Sequence, residues 1–94
     1  MTKLEEKLTD LGYERGLTYY LYPEFKTTKF AKAITYNVPI IIEIENGKEI
    51  RNAFVDSSYY KKITKKQAIK NLQQAFKEME KDLAILKELE QCQD

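Results

Sequence analysis

Two spacings of apolar residues divide the chain. From Thr64 to about Cys92 they recur at helical intervals, at Ile69, Leu72, Phe76, Met79, Leu83 and Leu86, with Ala68, Ala75, Ile85 and Leu89 widening the stripe. No Gly or Pro interrupts this stretch, and the residues between are mostly Lys, Gln and Glu, which are good helix formers. Thr64 followed by Gln67 has the form of a capping box and marks the start. A helix of about 28 residues is a rod of roughly 40 Å, long beside the ~13 Å radius of gyration of a compact domain this size. The pattern therefore predicts a helix whose distal half overhangs its domain, or one that runs the full width of a sheet. A second helical run, Leu4, Leu8 and Leu11, opens at Thr2 and Glu5 and stops at Gly12, predicting a short N-terminal helix of about ten residues.

Between the helices the period falls to two. Leu17, Tyr19 and Leu21 alternate with Thr18, Tyr20 and Tyr22, from Gly16 to Pro23, with the leucines inward. PEFKTT reads as a connection. Phe30 to Val38 is a second strand with Phe30, Ile34 and Tyr36 on one side; Lys32 falls on that same side, which points to a bulge. After Pro39, Ile40, Ile42 and Ile44 oppose Ile41, Glu43 and Glu45, and Asn46-Gly47 signals a hairpin. A three-residue loop with Gly47 left-handed pairs Ile42 with Ile50 and Val38 with Phe54, the register that keeps one face apolar. A strand from Lys48 to about Asp56 closes the sheet. The expected fold is α+β: a short N-terminal helix, a three- to four-stranded antiparallel sheet and a long C-terminal helix packed on one sheet face. Without repeats or linker-like composition, residues 1–94 are expected to form one domain.

Composition narrows the chemistry. A third of the residues are charged and 43% hydrophobic, which suits a globular chain. A net charge of +1 argues against both a strongly basic DNA binder and an acidic nucleic-acid mimic. The single Cys92, acids where a signal peptide needs an apolar core, and the lack of an apolar run of membrane-spanning length lead to the expectation of a cytoplasmic protein with no membrane partner. The chain has no histidine, which removes the commonest general base and zinc ligand. Cys92 has no base partner, the three glycines are isolated, Asp56-Ser57-Ser58 reads as a turn, and Glu43 and Glu45 as a solvated strand face. The expectation is a protein that is not an enzyme and carries no cofactor or metal.

Binding is what remains. Lys61, Lys62, Lys65, Lys66 and Lys70 crowd the start of the long helix, while Glu88, Glu90 and Asp94 sit at its end, the reverse of what the helix dipole favours. An antiparallel second copy would set each basic end beside an acidic one, with Met79, Leu83, Leu86 and Leu89 as the dimer face. The lysines at a helix N-terminus also suit an anion. Seven tyrosines offer a second surface: Tyr20 and Tyr22 on the face opposite the leucines, beside Glu43, Glu45 and Arg51, and Tyr59 and Tyr60 just before the lysines.

Helix, three strands and a last helix opening with KKQAIKNLQQAF resembles the double-stranded-RNA-binding domain, whose Lys-Lys-x-Ala-Lys motif contacts phosphates. The resemblance implies phosphate contacts from Lys65, Lys66 and Lys70, the last displaced by one position because Ile69 stands in between; the Gly-Pro-x-His loop of that family is absent. Across its whole length, and in NLQQAFKEMEKDLAILKELE with a bias to Lys, Ile, Glu, Asn and Tyr, the chain also resembles small proteins encoded by phages and prophages of low-GC Gram-positive bacteria. That likeness implies binding and inhibition of a host protein, including defence proteins, in the host cytoplasm. The leading expectation is thus a non-enzymatic protein-interaction module with a host-encoded partner. RNA binding through Lys61–Lys70 is the alternative, and a sponge for a small anionic ligand at a dimer interface the third.

Overall fold

The computed structural model describes residues 1–22, 25–35, 38–56 and 64–91, with the side chains of all of these except 19–22, 25, 35 and 91. In chain order the elements are α1 (Lys3–Asp10), β1 (Glu14–Tyr22), β2 (Phe25–Thr35), β3 (Val38–Glu45), β4 (Glu49–Val55) and α2 (Lys65–Gln91). The strands form one antiparallel sheet in sequence order, and the molecule measures 45 × 26 × 16 Å. Its thinnest dimension corresponds to two layers, and α2, at roughly 40 Å for 27 residues, matches its longest. The α+β architecture with both helices on one sheet face is as the pattern predicts.

Local signals set α1. The Thr2 hydroxyl accepts the Glu5 N–H at 3.2 Å while Glu5 Oε1 accepts the Thr2 N–H at 3.0 Å, a closed capping box. At the other end Gly12, with φ +98°, lets its own N–H reach the Thr9 carbonyl and the Tyr13 N–H reach the Leu8 carbonyl at 2.9 Å, a Schellman stop. Tyr13 and Leu8, both buried, supply the apolar contact that accompanies it. Docking of α1 follows from its leucines: Leu4 and Leu8 are fully buried with Phe30, Ile40, Ile42, Ile44 and Leu86. Burying each such side chain contributes about 1.5–3 kcal/mol.

Three strand expectations are corrected. First, β2 begins at Phe25, so most of PEFKTT is strand; Thr27 and Thr28 are both buried although their polarity reads as a loop. Second, a register shift between Arg15 and Thr18 sets Thr18 opposite Thr28 in the helix-facing row of Phe30 and Ile44, with the two hydroxyls 3.2 Å apart. Leu17, expected inward, is 73% exposed at that bulge. Leu17→Thr is accordingly expected to move stability by no more than about 0.5 kcal/mol in urea denaturation, as for other surface positions. Third, the hairpin does have a three-residue connection with Gly47 at φ +71°, but Asn46 is also left-handed at φ +53°. Its register pairs Ile44 with Ile50 and Ile42 with Ala53, not Ile42 with Ile50. The extra residue is Arg51, at a shift opposite Glu43 and Ile44, and it restores an apolar inner face by a bulge rather than by sliding the strand. Pro39 lies inside β3, paired with Ala33, and its carbonyl accepts the Asp56 N–H at 3.0 Å.

The long helix also differs from expectation in which end stands clear. Its distal half carries the fully buried Leu86 and Asp82 and packs beside α1. The turns from Lys65 to Lys70 are exposed apart from Ala68. It is therefore the basic start, not the acidic finish, that is least covered, because α1 lies only against the second half.

Candidate functional site

The most constrained polar group in the molecule is a cluster between α2 and the sheet. Lys32 occupies the helix-facing row of β2 between Phe30 and Ile34, where a cation needs partners. Asp82, 1% exposed, accepts from Lys32 Nζ at 2.9 Å and from the Tyr13 hydroxyl at 2.8 Å. Glu78, one turn earlier on α2, accepts from the same ammonium at 3.1 Å. The ammonium also stands 5.1 Å from the Tyr13 ring centroid, within cation–π range. Burial works against the Lys32 charge, yet the hydrogen bonds and charges of Asp82 and Glu78 outweigh it and raise the pKa. Burial, then the Asp82 hydrogen bond and the two carboxylates, push the Tyr13 hydroxyl well above its ordinary value. The bulge invoked for Lys32 is thus not what accommodates it: the β2–β3 ladder is regular through Lys32, and the nearest shift comes after Ala33. The one ammonium is shared by two carboxylates, the buried Asp82, which also takes the Tyr13 hydroxyl, and the partly exposed Glu78, so the cluster is a device for seating α2. Pattern reading does not reach Tyr13, Glu78 or Asp82; the available signal was the pair of misfits, one Lys on an apolar strand face and one Asp on the core line of a helix.

A second candidate is the sheet face turned away from both helices. Ala31, Ile41 and Phe54 form one row across β2, β3 and β4. Ile41 is 7% exposed and Phe54 36%. The next row holds Lys29, Glu43 and Asn52, with Asn52 Nδ2 donating to Glu43 Oε1 at 3.3 Å. Arg51 reaches across β3 to the Thr27 hydroxyl, at 3.4 Å. An apolar centre inside a charged rim is the composition of a protein interface.

Arg51 is thus on the outer face as expected. Tyr20 and Tyr22 lie in β1, where the register sets Tyr20 opposite Lys26 and brings Tyr19, not Tyr20, into the row of Thr27 and Glu45. The difference again follows from the bulge at Gly16–Leu17. Tyr59, Tyr60, Lys61 and Lys62 lie outside the described residues. Lys65, Lys66 and Lys70 are exposed on the first turns of α2, which the Thr64 hydroxyl caps by accepting the Gln67 N–H at 3.2 Å. Of the expected dimer face, Leu86 is fully buried in the chain's own core, and Met79 and Leu83 are half-buried against it. Leu89 lines a shallow groove of about 320 Å³ with Lys7, Ile85 and Glu88, between α1 and α2. Exposed apolar surface on α2 lies instead at Ile69 and Phe76. Among the described residues no group of His, Cys, Asp and Glu is placed to hold a metal ion, and no helix is long and apolar enough to cross a membrane.

Comparison with known protein families, with curated proteins and with solved structures finds no match to this chain.

Proposed function

We propose that the protein is a non-enzymatic interaction module whose outer sheet face receives a protein partner. The observation that carries this reading is the Ala31–Ile41–Phe54 row: an apolar centre with an exposed aromatic, on the face neither helix covers, edged by Arg51. Aromatic and Arg side chains dominate interface energetics, and loss of a central one typically costs 2 kcal/mol or more, about thirtyfold in Kd. The finer reading, a phage-type accessory that binds and inhibits a host protein, rests on the likeness quoted above. Its test is retention of a host protein from lysate on immobilised chain, identified by mass spectrometry and compared across variants. Phe54→Ala with Arg51→Glu is expected to lower retention at least tenfold, while Lys65→Glu with Lys66→Glu leaves it intact. Recovery of nucleic acid alone, or of a protein indifferent to the face variants, contradicts the proposal.

RNA binding is the second reading, and one observation favours it: Lys65, Lys66, Lys70 and Lys77 are exposed, and no acid lies between Thr64 and Lys77. On that reading the Lys65→Glu, Lys66→Glu variant loses retardation of duplex RNA, and wild-type binding falls steeply with salt.

A further inference from the structure

We infer that a second copy of this chain docks along the β4 edge and the adjoining flank of α2, joining the two sheets into one of eight strands. Two independent features lie on this side of the molecule. The first is an apolar flank on α2: Ile69 and Phe76, two turns apart, are 47% and 46% exposed. At about 100° per residue, Phe76 points roughly opposite to Ile85, the side on which α1 lies. The flank therefore lies on the side of α2 away from α1; α2 itself crosses β2, β3 and β4. The second feature is β4 itself, which pairs only with β3 among the described residues. The other edge, β1, is broken by two register shifts, a common guard against edge pairing, whereas β4 has one.

A two-fold axis beside β4 satisfies both at once. It makes β4 antiparallel to its copy at about 4.8 Å and α2 antiparallel to its copy on the same sheet face. Packed helices stand about 8–10 Å apart, so the two copies of α2 meet about 4–5 Å from the axis, where α2 crosses β4. Centred on Phe76, the helix pair sets Phe76 against its own copy and Ile69 against Leu83 of the second chain. The charges support that direction. Thr64–Lys77 carries four lysines and no acid, net +4, whereas Glu78–Gln91 carries five acids and two lysines, net −3. Antiparallel docking brings Lys65 within about a turn of Glu90 of the other helix, both on the Phe76 side of α2. The reversed charge order, unfavourable in one helix, is complementary in the pair. The outer sheet faces stay open and become continuous, so this inference does not depend on the partner-binding reading.

Sedimentation at about 100 µM is expected to give twice the 11.1 kDa chain mass, and Phe76→Glu to return it to the monomer with an unchanged circular dichroism spectrum. In a Cys92→Ser background, Phe76→Cys should oxidise to a covalent dimer, whereas Gln74→Cys, about 160° around the helix, should not. Lys65→Glu should weaken the dimer severalfold, and adding Glu90→Lys should restore it. A wild-type monomer at this concentration, a dimer that survives Phe76→Glu, or equal crosslinking at residue 74 overturns the inference.

Discussion

Asp82→Ala is expected to cost about 3–5 kcal/mol, the penalty for stranding one half of a buried ion pair. Single domains are stable by only about 5–15 kcal/mol, so this one substitution removes a large share of the total. The size follows from what stays behind. Lys32 has a side chain only 16% exposed and keeps only the Tyr13 ring and Glu78, whose side chain is 34% exposed. The Tyr13 hydroxyl loses the buried acceptor it holds at 2.8 Å. A buried donor without a partner costs about 1–3 kcal/mol on its own. Urea denaturation of the variant, followed by circular dichroism, reads the loss; a change under 1 kcal/mol would mean that water reaches the cluster. Replacing the whole group together, with Asp82→Leu, Lys32→Met, Tyr13→Phe and Glu78→Gln, should recover most of the stability, because no charge is then left unpaired. The cluster would thereby show itself as a locator for α2 rather than a source of net stability.

The same cluster should make the fold sensitive to alkali. Lys32 and Tyr13 both have folded pKa values raised above their ordinary 10.5 and 10.0. A raised folded pKa means that the native state holds its proton more tightly than the unfolded chain does. The stabilisation is complete below those values and is lost as the pH climbs beyond them. Tm should therefore fall above about pH 10, and fall less steeply in Tyr13→Phe, in which one of the two protons no longer has to be held.

Features written in adjacent residues were legible in the sequence; features that depend on distant partners were not. Thr2, Glu5 and Gly12 specify α1 within a dozen positions, and the structure uses all three. The long helix was equally plain as a helix, but its buried line runs through Ala75, Asp82 and Leu86. Counting Asp82 as polar turns the apparent stripe towards Ile69 and Phe76, which are in fact nearly half exposed. What places Asp82 inside is Lys32, 50 residues away, and no local pattern contains that distance. The strands fail in the same way. One extra residue at Gly16–Leu17 and another at Arg51 shift the pairing, and a period-two pattern has no term for a bulge. Of the candidate surfaces, Arg51 and the lysines of α2 lie where the sequence puts them. The Ala31–Ile41–Phe54 row depends on the observed register and so emerged only from the fold.

Gly47→Ala should cost about 3 kcal/mol, large for a methyl group in a hairpin loop. Two penalties combine. At φ +71° an L-residue bears about 1–2 kcal/mol of backbone strain. The new Cβ would also lie 2.8 Å from Thr2 Cγ2 and 3.2 Å from Glu5 Oε1. The turn is in fact the seat of α1: the Thr2 hydroxyl donates to the Gly47 carbonyl while accepting the Glu5 N–H, so one side chain caps the helix and ties it to the hairpin. Forcing the turn away breaks that tie, adding to the roughly 1–3 kcal/mol typical of overpacking. The two causes can be separated in a Thr2→Ser background, which keeps the hydroxyl and removes Cγ2. There Gly47→Ala should cost about 1 kcal/mol less, leaving mainly the strain of the left-handed backbone. An equal cost in both backgrounds would mean that the contact with Thr2 Cγ2 contributes nothing.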